Sequence, residues 1–324
     1  MYQILVVIPV DDSQRAGLMA AAPDAEFRFC SRGELTAQLV RGADVILGNV
    51  PPEMIRGSEK LKWLQLNSAG TNGYTDGGVL PEKVILTNAS GAYGLAISEH
   101  MLGALLCIMK KLPLYIRDQD KQSWADHGPV TSIDGSRTLV VGVGDIGGEF
   151  ARRMAALGSS VTGIRRHKTE KPDYLEGLYQ MDRLTDCLRE ADIVASCLPG
   201  TKDTDHVFTA ETFAAMKRGA YFLNIGRGTS VDSLALAEAL NSGHLAGASV
   251  DVTDPEPLPP GHPLWTAKNL LITPHVSGGY HLQQTQQRIV EIARRNLIRF
   301  VRGEELENRV DMSLGYRTVS CEKS

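Results

Sequence analysis

The segment Leu139-Val-Val-Gly142-Val-Gly144-Asp-Ile-Gly147-Gly148 constrains the fold more than any other part of this chain. It sets a GxGxxG run between a β-branched apolar stretch and a helical pattern over about 146–157. The first glycine makes the tight turn, the second lets the backbone approach a pyrophosphate, and the third allows close helix–strand packing. The helix then opens with free N–H groups and the positive end of its dipole. A strand, this loop and a helix together predict a dinucleotide-binding βαβ unit.

The rest of the chain is patterned to match. Apolar runs at residues 4–8, 44–47, 61–66 and 84–87 read as strands of a first α/β unit. Further runs at 138–141, 160–164, 193–198, 220–224, 246–250 and 270–273 read as strands of a second. They are continuous rather than alternating, which fits parallel strands covered on both faces. Strands alternating with helices predict an α/β fold with doubly wound parallel sheets. A long apolar helix is predicted from Ala92 to about Leu112, broken by Pro113. An amphipathic helix is predicted over about 282–301, with Ile289, Ile292, Ala293, Leu297 and Phe300 on one face. The last 20 or so residues are polar, which predicts a frayed end.

Composition narrows the function classes. The 324 residues suit two domains. A net charge of −4 argues against a nucleic-acid binder that relies on global basic charge. No apolar run approaches the ~20 residues that span a bilayer, and residues 1–10 lack a signal-peptide pattern. Cys30, Cys107, Cys187, Cys197 and Cys321 are odd in number and include no CxxC spacing. Neither a disulfide framework nor a zinc site is indicated, and the expectation is a soluble cytoplasmic enzyme without a metal.

In NAD-binding versions of the loop an acidic residue follows at the end of the second strand and holds the ribose 2′-hydroxyl. Here Arg165 stands 18 residues past Gly147, followed by Arg166, His167 and Lys168. Arginines there can hold a 2′-phosphate through charge-assisted bonds, so NADP(H) is favoured and NAD(H) is kept as the alternative.

Ligands of open α/β sheets bind beyond the carboxyl ends of the strands. Three predicted strands end in Asn224-Ile-Gly226-Arg227-Gly228, in Asp251-Val-Thr-Asp-Pro-Glu256, and in Thr273-Pro274-His275-Val-Ser277-Gly278. The sheet would gather an arginine, a carboxylate and a histidine beside the glycine loop. Reduction of a carbonyl forms an alkoxide that needs a proton, which histidine can supply. A carboxylate beside the imidazole fixes its tautomer and favours the cation. A guanidinium clamps a substrate carboxylate and polarises the adjacent carbonyl.

With these residues in place the chain resembles the D-isomer-specific 2-hydroxyacid dehydrogenases along nearly its whole length. Arg227 lies in a segment of the family's NxxRG type, Glu256 in its DVxxxEP segment and His275 in its TPH segment. The resemblance implies that Arg227 binds substrate, Glu256 supports the histidine and His275 is the acid/base. It implies cofactor contacts from Gly142, Gly144, Asp145, Ile146, Gly147, Thr204, Ile225, Gly226, Ser277 and Gly278, with Asp251 on the carboxamide. It also implies that Ala69 and Gly70, in a turn after a strand, offer backbone amides to the substrate carboxylate.

The resemblance further implies a discontinuous path. Residues 1–98 plus 281–324 form a flavodoxin-like substrate domain, and 99–280 a Rossmann domain, with the active site in a cleft that closes by a hinge. It implies a homodimer formed through the helix near 99–110. The implied activity is reversible reduction of a small 2-oxo acid to the D-2-hydroxy acid. Two rival implications are 3-phosphoglycerate oxidation and a dinucleotide-sensing corepressor role. Formate oxidation is disfavoured, because that branch of the family generally has Gln where this chain has Glu256.

Overall fold

The computed structural model describes residues 1–317. Residues 318–324, Cys321 among them, lie outside the described residues. The chain divides into two compact units, one of residues 1–93 with 282 onward, the other of residues 94–281.

The first unit runs through β1 (Gln3–Val6), α1 (Asp12–Ala21), β2 (Glu26–Phe29), α2 (Ala37–Gly42), β3 (Val45–Leu47), α3 (Pro52–Ile55), β4 (Trp63–Gln65) and β5 (Ile85–Thr87). Among the described residues the sheet is five-stranded in the order β2-β1-β3-β4-β5, with all pairs parallel. β3 and β4 are buried along their whole length, as continuous apolar runs require. β2 is missing from the sequence-based reading. Its Glu-Phe-Arg-Phe alternation is four residues long and belongs to an edge strand with one wet face. α1 begins at a capping box in which Asp11 and Gln14 satisfy one another's backbone N–H.

The second unit starts with α4 (Gly94–Met109) and α5 (Leu112–Asp120). Pro113 does end the long apolar pattern, but a new helix starts there rather than a loop. Proline at the first turn loses no intrahelical bond. β6 (Arg137–Val141), α6 (Asp145–Ala156), β7 (Ser160–Ile164), β8 (Gly177–Tyr179), α7 (Leu184–Glu190), β9 (Ile193–Ser196), α8 (Ala210–Ala215), β10 (Tyr221–Asn224), α9 (Ser233–Asn241), β11 (Gly247–Val250) and β12 (Leu270–Ile272) follow. The seven described strands are parallel in the order β12-β11-β10-β9-β6-β7-β8. The order reverses between β6 and β9, the switch point where doubly wound sheets bind ligands. β8 is likewise missing from the sequence-based reading, being three residues long, glycine-led and at the sheet edge. The main core packs Leu139, Val141, Val194, Phe222 and Ala248 under Phe208, Phe213, Leu236 and Leu240.

α10 (Gln283–Arg302) returns the chain to the first unit and buries Ile289, Val290, Ile292, Ala293 and Leu297. Phe300, on the predicted face, stacks on Trp63 at 5.3 Å. Gly303 closes the helix at φ 71, where its N–H caps the carbonyls of Arg299 and Phe300. The frayed end expected of the last 20 residues is corrected over its described part. β13 (Val310–Asp311) and β14 (Tyr316–Arg317) form a ladder, and Arg309 bridges to Thr87. Backbone pairing, not apolar content, holds this polar segment. The remainder of that expectation falls on residues outside the described ones.

Candidate active site

The glycine loop has the stereochemistry its motif predicts. Gly142 sits at φ 101, and a Cβ there would lie 2.7 Å from the Cys197 carbonyl oxygen. A Cβ on Gly147 would lie 2.2 Å from the Gly142 oxygen, so this glycine is what lets α6 press onto the turn. Around Gly144 the opposite holds: nothing lies within 4 Å of its notional Cβ. That open space is what a pyrophosphate needs. Gly144 is also the N-cap of α6 and offers no side chain to the first amides. Asp145 and Ile146 stand in that first turn, where backbone N–H groups have no intrahelical acceptor. These residues fit a dinucleotide phosphate.

Beyond β7, Arg165 is half-buried and donates to Thr169 at 3.2 Å. Arg166 reaches Asp203, at 3.1 Å, in the loop after β9. Sequence reasoning misses Asp203, because nothing in its local sequence links it to a residue 37 positions earlier. Thr204 lies next to it. Its hydroxyl accepts from Thr201 N–H and donates to the Pro199 carbonyl, which shapes the 199–204 turn.

The strand ends after β10, β11 and β12 do converge. Gly226 and Gly228 flank Arg227 for steric reasons. A Cβ on Gly226 would lie 2.4 Å from Leu198 O, and one on Gly228 would lie 1.9 Å from Thr253 O. The Arg227 segment is therefore wedged between the loops following β9 and β11. The Arg227 stem lies on Gly200, and its Nη1 donates to Gly226 O at 2.7 Å. Burial lowers the Arg227 pKa, and the nearby Glu256 carboxylate opposes that shift. Glu256 in turn accepts from His275 Nδ1 at 2.6 Å, with both side chains roughly two-fifths exposed. Arg227, Glu256 and His275 thus form one electrostatic group. Ile225 and Gly278 are half-buried.

Asp251 is 2% exposed. Its Oδ1 accepts from the Thr273 hydroxyl at 2.5 Å and from Val276 N–H at 3.0 Å. Its Oδ2 accepts from the N–H and the hydroxyl of Ser277. Four donors meet the roughly four lone-pair sites of a carboxylate. A carboxamide contact from Asp251 would have to replace one of them. His275 itself sits at φ 51, with its N–H donating to Asp251 O at 2.8 Å.

In the first unit the Ala69–Gly70 turn is held by its carbonyls. Asn88 Nδ2 donates to Ala69 O, Ser68 Oγ donates to Gly70 O, and the Tyr93 hydroxyl donates to Asn67 O. Among the described residues the N–H groups of Ala69 and Gly70 have no acceptor.

A glycine loop at the switch point and an Arg, Glu and His group on neighbouring strand ends define a nicotinamide-dinucleotide oxidoreductase of the α/β class. The chain belongs to the D-isomer specific 2-hydroxyacid dehydrogenases: residues 102–277 match that family's NAD binding domain. It is 28% identical over 285 residues to the glyoxylate reductase of Thermofilum pendens, covering 85% of this chain and 83% of that one. A D-isomer specific 2-hydroxyacid dehydrogenase family protein from Aeromonas salmonicida superposes with a TM-score of 0.84 at 32% identity, over 96% of this chain and 99% of that one. An NADPH-dependent glyoxylate/hydroxypyruvate reductase from Sinorhizobium meliloti, solved with NADP and sulfate, superposes with a TM-score of 0.81 at 27% identity, over 98% and 100%.

Proposed function

We propose that this protein reduces a small 2-oxo acid to the D-2-hydroxy acid with a reduced nicotinamide dinucleotide, reversibly. The observation that carries this reading is the 2.6 Å contact between His275 Nδ1 and Glu256, with Arg227 beside them. Glu256 accepts the hydrogen bond of Nδ1–H and keeps that proton on Nδ1, so Nε2 is the atom left to exchange a proton with the substrate oxygen. Arg227 holds the substrate carboxylate and polarises the carbonyl; Ala69 and Gly70 are assigned to the same carboxylate. Gly142, Gly144, Ile146 and Gly147 hold the dinucleotide phosphates, with Asp145, Thr204, Ile225, Gly226, Asp251, Ser277 and Gly278 assigned to the rest of the molecule. When bound, the dinucleotide supplies the hydride to the carbonyl carbon. His275→Ala is expected to lower turnover with glyoxylate or hydroxypyruvate by roughly 10²–10⁴-fold while NADPH still quenches protein fluorescence. Rates within a few-fold of the parent would sink the assignment.

NADP(H) is the favoured cofactor. The support is the arginine pair after β7 in place of a carboxylate, together with the NADP held by the Sinorhizobium meliloti relative. We assign Arg165 and Arg166 to the 2′-phosphate. Parallel titrations with NADPH and NADH test this, and tighter NADH binding overturns it.

The reading extends to a homodimer and to the cytoplasm. No described helix is long and apolar enough to cross a membrane. Leu112, Tyr115, Ile116, Trp124 and Val130 are exposed large hydrophobic side chains around α5, a surface suited to a second copy. They follow the α4 stretch expected from sequence rather than lying on it. Sedimentation of the wild type and of Ile116→Glu tests the dimer: a monomeric wild type would refute it.

A further inference from the structure

We infer that His100 and Thr273 are positioning residues that set the conformation of the loop carrying His275. The inference rests on His275 being the proton donor, and it adds a role for Thr273 in the same strand-end segment and a second residue, His100, that no strand-end motif pointed to.

His100 lies on α4, and its Nε2 is 3.2 Å from Thr273 Oγ1. The Thr273 hydroxyl has one proton, and the 2.5 Å contact to the buried Asp251 carboxylate uses it. The oxygen of Thr273 must therefore accept from His100, which assigns the proton of His100 to Nε2. The result is a directed chain, imidazole N–H to hydroxyl to carboxylate, in which each bond polarises the next.

The chain ends on the residue that holds the His275 backbone. Asp251 accepts the N–H of Val276 and of Ser277 with its side chain and the N–H of His275 with its main-chain oxygen. Thr273 is joined to the same group through its own backbone, donating to Val250 O and accepting from His275 N–H. His275 is held at φ 51, a region that non-glycine residues leave unless their surroundings enforce it. Thr273 and Asp251 enforce it from both sides of the turn. His100 keeps the Thr273 hydroxyl aimed at Asp251 rather than rotated to another rotamer. None of this requires His100 or Thr273 to touch the substrate.

The test compares paired variants in steady state with glyoxylate and NADPH, with His275→Ala run alongside. Thr273→Val keeps the shape and removes the hydroxyl, and Thr273→Ser restores the hydroxyl. His100→Leu removes the donor, and His100→Gln returns an N–H. Thr273→Val and His100→Leu are each expected to lose about ten-fold in kcat, with KM and the NADPH dissociation constant within about three-fold. Thr273→Ser and His100→Gln are expected to recover most of the loss. Wild-type kcat in both Thr273→Val and His100→Leu overturns the inference, as does a Thr273→Ser variant no better than Thr273→Val. If Thr273→Val fails to fold, the His100 pair decides alone. An active His275→Ala instead overturns the proton-donor reading on which the inference rests.

Discussion

Glu256 Oε1 lies 2.6 Å from His275 Nδ1, though 19 residues and one full β-strand separate them in the chain. The contact orients the ring and occupies Nδ1, which on the proposed role of His275 leaves Nε2 for the substrate. Glu256→Gln keeps the size and removes the charge. Its kcat with a 2-oxo acid is expected to fall by roughly 10–10³-fold while NADPH binding persists. Stopped-flow NADPH oxidation is the measurement, and an unchanged rate would show that His275 works without its partner.

The glycines flanking Arg227 are predicted to be intolerant. Gly228→Ala places a methyl 1.9 Å from Thr253 O, a backbone atom that cannot move alone. A loss of about 1–3 kcal/mol is expected from forced backbone shifts. Thermal melts check it. Gly57→Ala, with nothing within 4 Å but a φ of 77, separates conformational strain from collision.

Asp203 pairs with Arg166, so on the proposed assignment of Arg166 to the 2′-phosphate it would compete with that phosphate. Asp203→Asn is expected to tighten NADPH binding about two- to five-fold, the scale of an exposed ion pair, with NADH changed far less. Equal effects on both cofactors would place Arg166 away from the 2′ position.

A buried polar network ties α10 to the first sheet. Asn296 Nδ2 donates to Gln65 Oε1 at 2.8 Å, and its Oδ1 accepts from Glu307 N–H at 2.7 Å. The Trp63 indole and the Thr87 hydroxyl complete the network. Asn296→Ala leaves buried groups without partners and is expected to destabilise the protein by about 2–4 kcal/mol. Denaturant midpoints report it.

Acid sensitivity has a named contributor at the amino ends of β6, β9 and β10. Burial alone would raise the Asp192 pKa, but hydrogen bonds from Lys217 and Arg137 N–H outweigh it and hold it below the ordinary 3.8. A lowered folded-state pKa gives stability that is present above the unfolded value and lost as pH falls through the folded one. Asp192→Asn is therefore expected to flatten the pH dependence of Tm below about pH 4. With Asp192 39% and Lys217 43% exposed, solvent screening keeps the contribution below about 1 kcal/mol.

Much of the fold was legible because it rests on local patterns. Central strands such as β6 and β10 are continuous apolar runs, and α10 carries its core face at helical spacing. β2 and β8 are hard to read because edge strands are short and need only one apolar face. Arg227, Glu256 and His275 could be found because each closes a recognisable strand. His100 could not, since it interrupts an otherwise apolar helix face with nothing to mark its direction. Asp203 could not either, because its partner is set by how two loops approach.

By itself, then, the sequence determined the two α/β units, the glycine loop and the chemistry offered at three strand ends. These follow from periodicity and from turns that only glycine can make. The tertiary structure alone decided which donors fill the Asp251 carboxylate, that Arg166 meets Asp203, and that a histidine on α4 bonds the threonine beside His275. Such contacts are fixed by distances between segments remote in the chain, and no local pattern encodes those distances.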